Sequence, residues 1–283
     1  MQYQITVALL VNIVMSAHSS NPRFWDILRN SECSNMDEIM NGLGWNDRDI
    51  NPYVTNPHGV DIPRDQQCYA TITNPEANFE VESMKYVLSD MTADEAAIHN
   101  KTSGGHTYLT HNYTCGACSS LADLRVYMQT PDLTTPVKSC TMKTVLEPWL
   151  SKAAAFKKTS DCIAKTVGFS DMCSVIWVYN TQNTRAHCET NCIIQEEILH
   201  VPNNVPEQRF DGIADTNYCD PSICEQKIND KPACEDFQWK NGPYRLNSCL
   251  QCDECNSGPV FQKFAGRTRR DTGIVSAIKR PIE

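Results

Sequence analysis

Residues 114–128 read TCGACSSLADLRVYM and form the sharpest local pattern in the chain. Cys115 and Cys118 stand three residues apart, and Ser119 or Ser120 can cap the amphipathic helix that follows. A helix N-terminus stabilises a nearby thiolate through its exposed backbone N–H groups and its dipole, which lowers the thiol pKa. The pattern therefore predicts Cys118 as a nucleophile or redox thiol with Cys115 as its partner. The alternative is that both are structural half-cystines.

The CGAC tract resembles two known motifs. One is the CGPC-type motif of thioredoxin-like oxidoreductases, and the other is the CGSCW tract of papain-like proteases, whose nucleophile would correspond to Cys118. Both resemblances cover about six residues. Polar residues precede the tract where thioredoxin-like domains have a hydrophobic strand, and Ser119 stands where papain-like enzymes have Trp. Papain-like chemistry is excluded because no histidine follows His200.

Fifteen cysteines indicate an oxidising compartment, where they form disulfides. Because the count is odd, one cysteine is free or joins a second molecule, so a disulfide-linked dimer is one alternative. Cys249, Cys252 and Cys255 have a spacing seen in metal and iron–sulfur sites, but no proline-linked fourth cysteine follows them. We interpret these three as separate half-cystines.

The first residues predict export. Residues 1–19 contain an uncharged apolar run followed by small residues, which is typical of a signal peptide. Asn100 and Asn112 each begin an N-glycosylation sequon. Together with the cysteines, these features predict a secreted, extracellular glycoprotein whose mature domain is residues 20–283.

Charge is unevenly distributed along the chain. The formal net charge is −9, although Lys263–Glu283 carries six basic and two acidic residues. An acidic body argues against nucleic acid and anionic membranes as main partners. The sequence also lacks a phosphate loop, a dinucleotide fingerprint, a GxSxG elbow and an HExxH zinc motif, so the common cofactor and hydrolase classes have no support.

Three histidines precede the CGAC tract, at His99, His106 and His111. Imidazole is a common metal ligand and a common general base. Because the spacings of seven and five match no helix face and no zinc motif, we expect no resident metal or other cofactor. His106 or His111 is predicted as the base, and the alternative is a set of exposed loop histidines.

The tail contains a basic cluster of Arg267, Arg269 and Arg270. Arginine suits bidentate binding of carboxylate or phosphate, so one interpretation is a site for an anionic substrate group. A second interpretation is a dibasic processing site, with cleavage after Arg270 that releases residues 271–283. A third is a solvated basic face.

The remaining pattern predicts a mainly α, disulfide-rich fold with long loops and few short strands. Cap and periodicity signals predict helices opening at residue 22, after Ser34, at 119–120, over 146–157, from 159–160 to 168, after Ser170, and at 247–256, 259–265 and 272–278. The composition of residues 45–75 and 200–245, rich in Pro, Asn and Asp, predicts loops. The best strand signals are 71–73 and 79–81. Trp177 lies in a segment that mixes aromatic and amide residues, which suits the wall of a ligand pocket.

These observations favour a secreted enzyme that acts on a small organic molecule, with Cys118, Cys115 and His106 or His111 as catalytic residues. Arg267, Arg269, Arg270 and Trp177 would bind the substrate. The alternatives are an extracellular binding or structural glycoprotein with all its cysteines in disulfides, and a precursor processed within residues 267–270.

Overall fold

The computed structural model describes residues 22–55, 65–145, 147, 149–192, 248–274 and 276–278. The chain divides into two compact units. The first comprises Met1–Ile50, Asp61–Val178 and Gln262–Val275, and the second comprises Asn51–Val60, Tyr179–Phe261 and Ser276–Glu283. The predicted signal peptide and the predicted loop over 200–245 lie outside the described residues. The single domain over residues 20–283 stays a prediction.

Helices and strands alternate irregularly along the chain. In order they are α1 Pro22–Arg29, β1 Glu32–Cys33, α2 Met36–Gly42, α3 Pro52–Thr55, β2 Gln67–Ile72, β3 Lys85–Met91, α4 Ala93–Thr102, β4 Thr107–Asn112, α5 Leu121–Gln129, α6 Thr134–Val145, α7 Lys152–Val167, α8 Asp171–Cys192, α9 Ser248–Asn256, α10 Gly258–Ala265 and α11 Arg269–Thr272.

A four-stranded sheet forms the centre of the first unit, in the order β1-β3-β2-β4. Strand β2 runs antiparallel to both β3 and β4, and β1 pairs parallel with β3. The prediction of loop over 45–75 is wrong at α3 and at β2. The strand predicted at 71–73 overlaps the end of β2, whereas the strand predicted at 79–81 is a turn. The sheet makes the fold a mixed one rather than a mainly helical one.

Apolar side chains from β2 and β3 pack against α1 to form the core of the first unit. Ala70, Tyr86 and Leu88 are almost fully buried there, together with Leu28 from α1. The hydroxyl of Tyr86 accepts a hydrogen bond from the backbone N–H of Leu121 at 2.8 Å. That bond fixes the start of α5, and therefore the residues just before it, on the sheet.

Cap residues explain where the longer helices begin and end. Ser151 caps α7 by accepting a hydrogen bond from the Ala154 N–H, and Gly168 ends this helix with a left-handed φ of 92°. The predicted helices over 146–157 and 159–168 are therefore one helix that begins at Lys152. Helices α1, α2, α5, α8, α9 and α10 confirm predictions, whereas α3, α4 and α6 were not predicted. The helix predicted at 272–278 overlaps α11 only at Thr272.

In the second unit two disulfides join α8 to α9. The bonded pairs are Cys188–Cys252 and Cys192–Cys249, so the prediction of half-cystines is confirmed for Cys249 and Cys252. Hydrogen bonds also join α8 to α9 and to Ser257, the residue after α9. Asn183 Nδ2 donates to Ser257 Oγ at 3.0 Å, and Thr184 Oγ1 donates to Asp253. Two disulfides therefore join these two helices of the second unit covalently.

Three further disulfides lie in the first unit: Cys68–Cys115, Cys118–Cys173 and Cys140–Cys162. Each unit thus carries its own crosslinks, and the fold is a disulfide-rich mixture of helices and one sheet. Among the described residues, no helix combines the length and the apolar character needed to span a bilayer.

Candidate functional site

The CGAC tract lies between the end of β4 and the start of α5. Strand β4 ends with Thr110, His111 and Asn112, and Tyr113 then turns the chain with a left-handed φ of 66°. Ser120 caps α5 by accepting a hydrogen bond from the Asp123 N–H at 3.0 Å. The predicted cap and helix are confirmed, and the sheet holds both ends of the tract in place.

Both cysteines of the tract bond to partners outside it. Cys115 is joined to Cys68 on β2, and Cys118 is joined to Cys173 on α8. Both are fully buried. This corrects the prediction of Cys118 as a nucleophile or redox thiol with Cys115 as its partner, because neither sulfur is a thiol and the two are not bonded to each other. Both disulfides agree with the alternative prediction, that Cys115 and Cys118 are structural half-cystines.

The described residue with a free thiol is Cys33, at the end of β1. Its Sγ lies 3.5 Å from Asn35 Oδ1. Burial raises the pKa of Cys33, against the effect of backbone hydrogen bonds that lower it. A raised pKa keeps the thiol protonated, which makes it a poor nucleophile and a slow partner for disulfide exchange.

His111 pairs with a serine instead of a cysteine. Its Nε2 lies 2.8 Å from Ser119 Oγ, and its Nδ1 lies 2.7 Å from the carbonyl oxygen of Asn112. A carbonyl only accepts, so Nδ1 carries the proton and Nε2 accepts from the serine hydroxyl. Burial, and after it the charge of Arg267, holds the pKa of His111 well below its usual 6.5. The ring is therefore neutral.

This Ser–His pair has the contacts of a catalytic dyad but not its exposure. Ser119 and His111 are both fully buried. Ser119 Oγ also accepts the backbone N–H of Gly116 at 2.7 Å, which occupies a lone pair. A serine nucleophile must reach a substrate carbonyl, and here the hydroxyl is enclosed by its own chain. The geometry shows a satisfied buried hydroxyl.

Arg267 is the largest fully buried side chain of the described residues. Its guanidinium donates to three backbone carbonyls, those of Thr110, Cys118 and Ser119, each at 3.0 Å. Burial lowers the pKa of Arg267 to about 10, so the group stays charged at neutral pH. This corrects the prediction that Arg267 binds an anionic substrate, because its donors are directed at the CGAC tract and at β4.

The segment before Arg267 docks on the tract through its backbone. The N–H of Ala117 donates to the carbonyl of Phe264, and that of Cys118 donates to Ala265, both at 2.8 Å. A Cβ on Gly266 would lie 2.5 Å from the Gly116 nitrogen, and Gly266 has a φ of +73°. Only glycine fits this contact between two stretches of backbone.

A buried carboxylate complements the buried guanidinium. Asp123 is fully buried, and it accepts hydrogen bonds from the Ser120 hydroxyl at 2.6 Å and from the Ser170 N–H and hydroxyl at 2.8 Å. Burial raises the pKa of Asp123, while these hydrogen bonds and Arg267 oppose that rise. Because Ser170 precedes α8, Asp123 ties the starts of α5 and α8 together beside the Cys118–Cys173 disulfide.

The other predicted substrate residues belong to the same packed region. Trp177 stacks on Phe169, with ring centroids 5.9 Å apart and planes at 16°. The guanidinium of Arg269 lies 5.7 Å from the ring centroid of Tyr127. The half-buried Trp177 therefore packs on the buried ring of Phe169, and the guanidinium of Arg269 lies over the ring of Tyr127. The side chain of Arg270 lies outside the described residues.

The burial of Arg267 bears on the processing interpretation. A dibasic processing protease needs an accessible, extended chain around its site, but Arg267 is enclosed and residues 269–272 form α11. Cleavage after Arg270 in the folded protein would require this segment to leave the tract first. The interpretation as a solvated basic face also fails at Arg267.

The remaining predicted residues lie along α4 and β4. His106 precedes β4 and His111 lies near its end, about 17 Å away at about 3.4 Å per residue, so the two rings do not meet. His99 Nδ1 lies 3.1 Å from Thr107 Oγ1. Among the described residues, the group of acidic, His or Cys side chains close enough to share a metal is Cys68, Asp90 and Cys115, in which the sulfurs form a disulfide.

Both sequon asparagines are half-buried and use their amide oxygens within the protein. Asn100 Oδ1 accepts the Thr107 N–H at 3.0 Å, and Asn112 Oδ1 accepts from Gln67 Nε2 at 2.9 Å. A glycan attaches through the nitrogen of the amide. Glycosylation at these two positions stays a prediction.

Residues 156–231 and 210–283 match a family model described as "Family of unknown function (DUF8771)". The matched ranges include Gly266 and Arg267 but not the CGAC tract, and they cover less than half of the chain. No curated protein and no solved structure matches the chain. The C-terminal part is thus similar to a family whose description gives no activity.

Sequence reasoning missed Ser119 and Asp123 as organising residues and misread the role of Arg267. The signal for Asp123 was present, because Ser120 and Asp123 have the spacing of a capping pair. The role of Arg267 had no local signal. It arises because a segment almost 150 residues away in the chain docks on the tract.

Proposed function

We propose that the protein is an extracellular binding protein, in which the CGAC tract is a structural lock and not a catalytic site. One observation carries the proposal. Every chemically reactive group of the tract is used within the protein: the two sulfurs are in disulfides, the Ser119 hydroxyl bonds to His111, and Arg267 bonds to three carbonyls.

Electrostatics support the same reading of the tract. A catalytic site leaves at least one ionisable group turned toward solvent or substrate, with a pKa tuned for proton transfer. Here burial keeps His111 neutral, and the Arg267 charge is compensated by carbonyl dipoles and by Asp123. Such an arrangement rigidifies a fold and leaves no proton donor or acceptor for a substrate.

The disulfides support an extracellular location. Five of them lie in the described residues, three in the first unit and two in the second. Disulfides persist in oxidising compartments and are rare in reducing ones. We propose export through residues 1–19 and glycans at Asn100 and Asn112. The mass of the secreted protein before and after deglycosylation tests both.

A serine hydrolase is the second candidate, since Ser119 Oγ and His111 Nε2 are 2.8 Å apart and a carbonyl orients the other ring nitrogen. This function requires an opening that exposes Ser119. Removal of the 264–267 segment from the tract is the motion that would provide it.

Covalent probes separate the two candidates. Natively folded protein is treated with a fluorophosphonate for serine nucleophiles and with iodoacetamide for thiols, beside a serine protease and a cysteine protease as positive controls. The binding-protein proposal predicts no label on Ser119, Cys115 or Cys118. Fluorophosphonate on Ser119 that is lost in His111→Gln would establish the hydrolase, and iodoacetamide on Cys118 would restore the thiol enzyme.

A further inference from the structure

The helices α6 and α7 form a disulfide-bonded hairpin in the first unit. Cys140 on α6 is joined to Cys162 on α7, and the hydroxyls of Thr144 and Thr159 are hydrogen-bonded at 2.9 Å. The apolar residues Val137 and Ile163 are buried. The disulfide and the hydrogen bond thus fix the two helices to each other.

The hairpin carries a charge opposite to that of the chain. Residues 134–167 contain six lysines and two acidic residues, a net charge of +4, whereas the whole chain carries −9. One of the two acidic residues, Glu147, is neutralised by Lys158 at 2.6 Å, and the other, Asp161, by Lys157 at 2.9 Å. The hairpin is therefore a local positive surface on an acidic protein.

We define the hairpin tip as the described residues 142–145, 147 and 149–152. Trp149 lies in the connection and is 75% exposed, and Met142 is 43% exposed. Lys143 is in the last turn of α6 and Lys152 is the first residue of α7. Both lysines are exposed, and in the described part of the chain no ion pair involves either one. The tip combines an exposed indole with two available ammonium groups.

We propose that the hairpin tip binds an acidic polysaccharide, with Trp149 against the face of a sugar ring and Lys143 and Lys152 on its sulfate or carboxylate groups. The proposal rests on the proposed function and names the ligand class of the binding protein. An indole supplies a large apolar surface with little loss of side-chain freedom, and tryptophan dominates the energy of many interfaces. The positive tip is complementary to a polyanion.

An anionic membrane fits this surface less well. Interfacial helices bind bilayers through a continuous apolar face. The exposed large apolar side chains of the described hairpin residues are Met142 and Trp149, while Val137 and Ile163 face inward. To bind a soluble acidic polysaccharide, the tip needs only the positive charges of Lys143 and Lys152 and one aromatic ring, Trp149, on which a sugar can stack. Because the Cys140–Cys162 disulfide joins α6 to α7 before binding, these two helices lose little conformational freedom when a polymer binds.

The test measures binding of dextran sulfate, polygalacturonate and neutral dextran by calorimetry, with phosphatidylserine vesicles as a fourth probe. The full-length secreted protein is expected to bind at least one charged polymer, with affinity that falls as salt rises, and not neutral dextran. Trp149→Ala and the double variant Lys143→Gln/Lys152→Gln are each expected to weaken binding about ten-fold.

Matched controls make the result specific to the tip. The double variant Lys85→Gln/Lys101→Gln removes the same charge from exposed positions on β3 and α4, and Val81→Ala removes an apolar residue that is 83% exposed. These are expected to bind within two-fold of the natural sequence. Equal losses in tip and control variants, binding to vesicles alone, or binding to neither charged polymer would each overturn the proposal. None of these outcomes depends on the probe labelling of Ser119 and the cysteines, which tests the binding-protein proposal separately.

Discussion

At the scale of single residues, the buried charge of Arg267 organises the tract. The guanidinium donates to the backbone carbonyls of Thr110, Cys118 and Ser119, and the carbonyl of Arg267 itself accepts from the Tyr127 hydroxyl at 3.2 Å. A planar group with five fixed donors suits this geometry, whereas lysine would not. The sequence predicted an arginine cluster, but not that one member points inward.

Arg267→Met is expected to lower the free energy of unfolding by about 3 kcal/mol, because three buried charge-assisted hydrogen bonds are lost. Urea unfolding monitored by circular dichroism measures the change. The control is Arg48→Met, since Arg48 is exposed and forms an ion pair with the exposed Asp37. A loss no larger than that of the control would contradict the structural role.

His111 makes stability depend on pH. Its pKa in the folded protein lies well below 6.5, so below pH 6.5 the unfolded chain binds a proton that the folded protein does not. The contribution of His111 to stability is therefore complete above pH 6.5 and is lost progressively as the pH drops below that value. The variant His111→Gln, compared with His99→Gln, is expected to show a shallower loss between pH 7 and pH 5. Equal slopes in the two variants would contradict the assignment.

At the scale of elements, sequence signals predicted helix starts better than strands. Pro22, Ser120 and Ser170 marked α1, α5 and α8 because caps act through neighbouring backbone groups. Only the end of strand β2 was predicted, through the signal at 71–73. Four consecutive residues, Cys68–Thr71, are buried, so the strand lacks the alternation that identifies a half-exposed strand. The docking of residues 264–267 was not predictable, since it depends on tertiary contact.

Gly266→Ala tests that docking. Both Gly266 and Gly273 have left-handed φ angles, 73° and 65°, but a Cβ on Gly273 meets no atom within 4 Å. Gly273→Ala is expected to cost about 1 kcal/mol from backbone strain alone. Gly266→Ala adds a clash with the Gly116 backbone and is expected to cost roughly 3 kcal/mol in thermal or urea unfolding. Equal losses would mean that the segment does not pack on the tract.

At the scale of the whole molecule, disulfides crosslink each of the two units, and Cys33 has a free thiol. The described disulfides use ten cysteines, Cys33 has a free thiol, and the remaining four lie where the structure describes no bond for them. The sequence predicted disulfides and an odd cysteine, but connectivity depends on tertiary proximity and had no sequence signal. The half-buried Cys33 is a poor candidate for a fast-forming bond between two chains.

Disulfide mapping of the natively folded protein is the decisive test of the structural lock. Free thiols are alkylated before digestion without reduction, and crosslinked peptides are identified by mass spectrometry. We predict peptides that join Cys68 to Cys115 and Cys118 to Cys173, with no alkylation at Cys115 or Cys118. A peptide that joins Cys115 to Cys118, or an alkylated Cys118, would contradict the structural lock and return the tract to a redox or nucleophilic role.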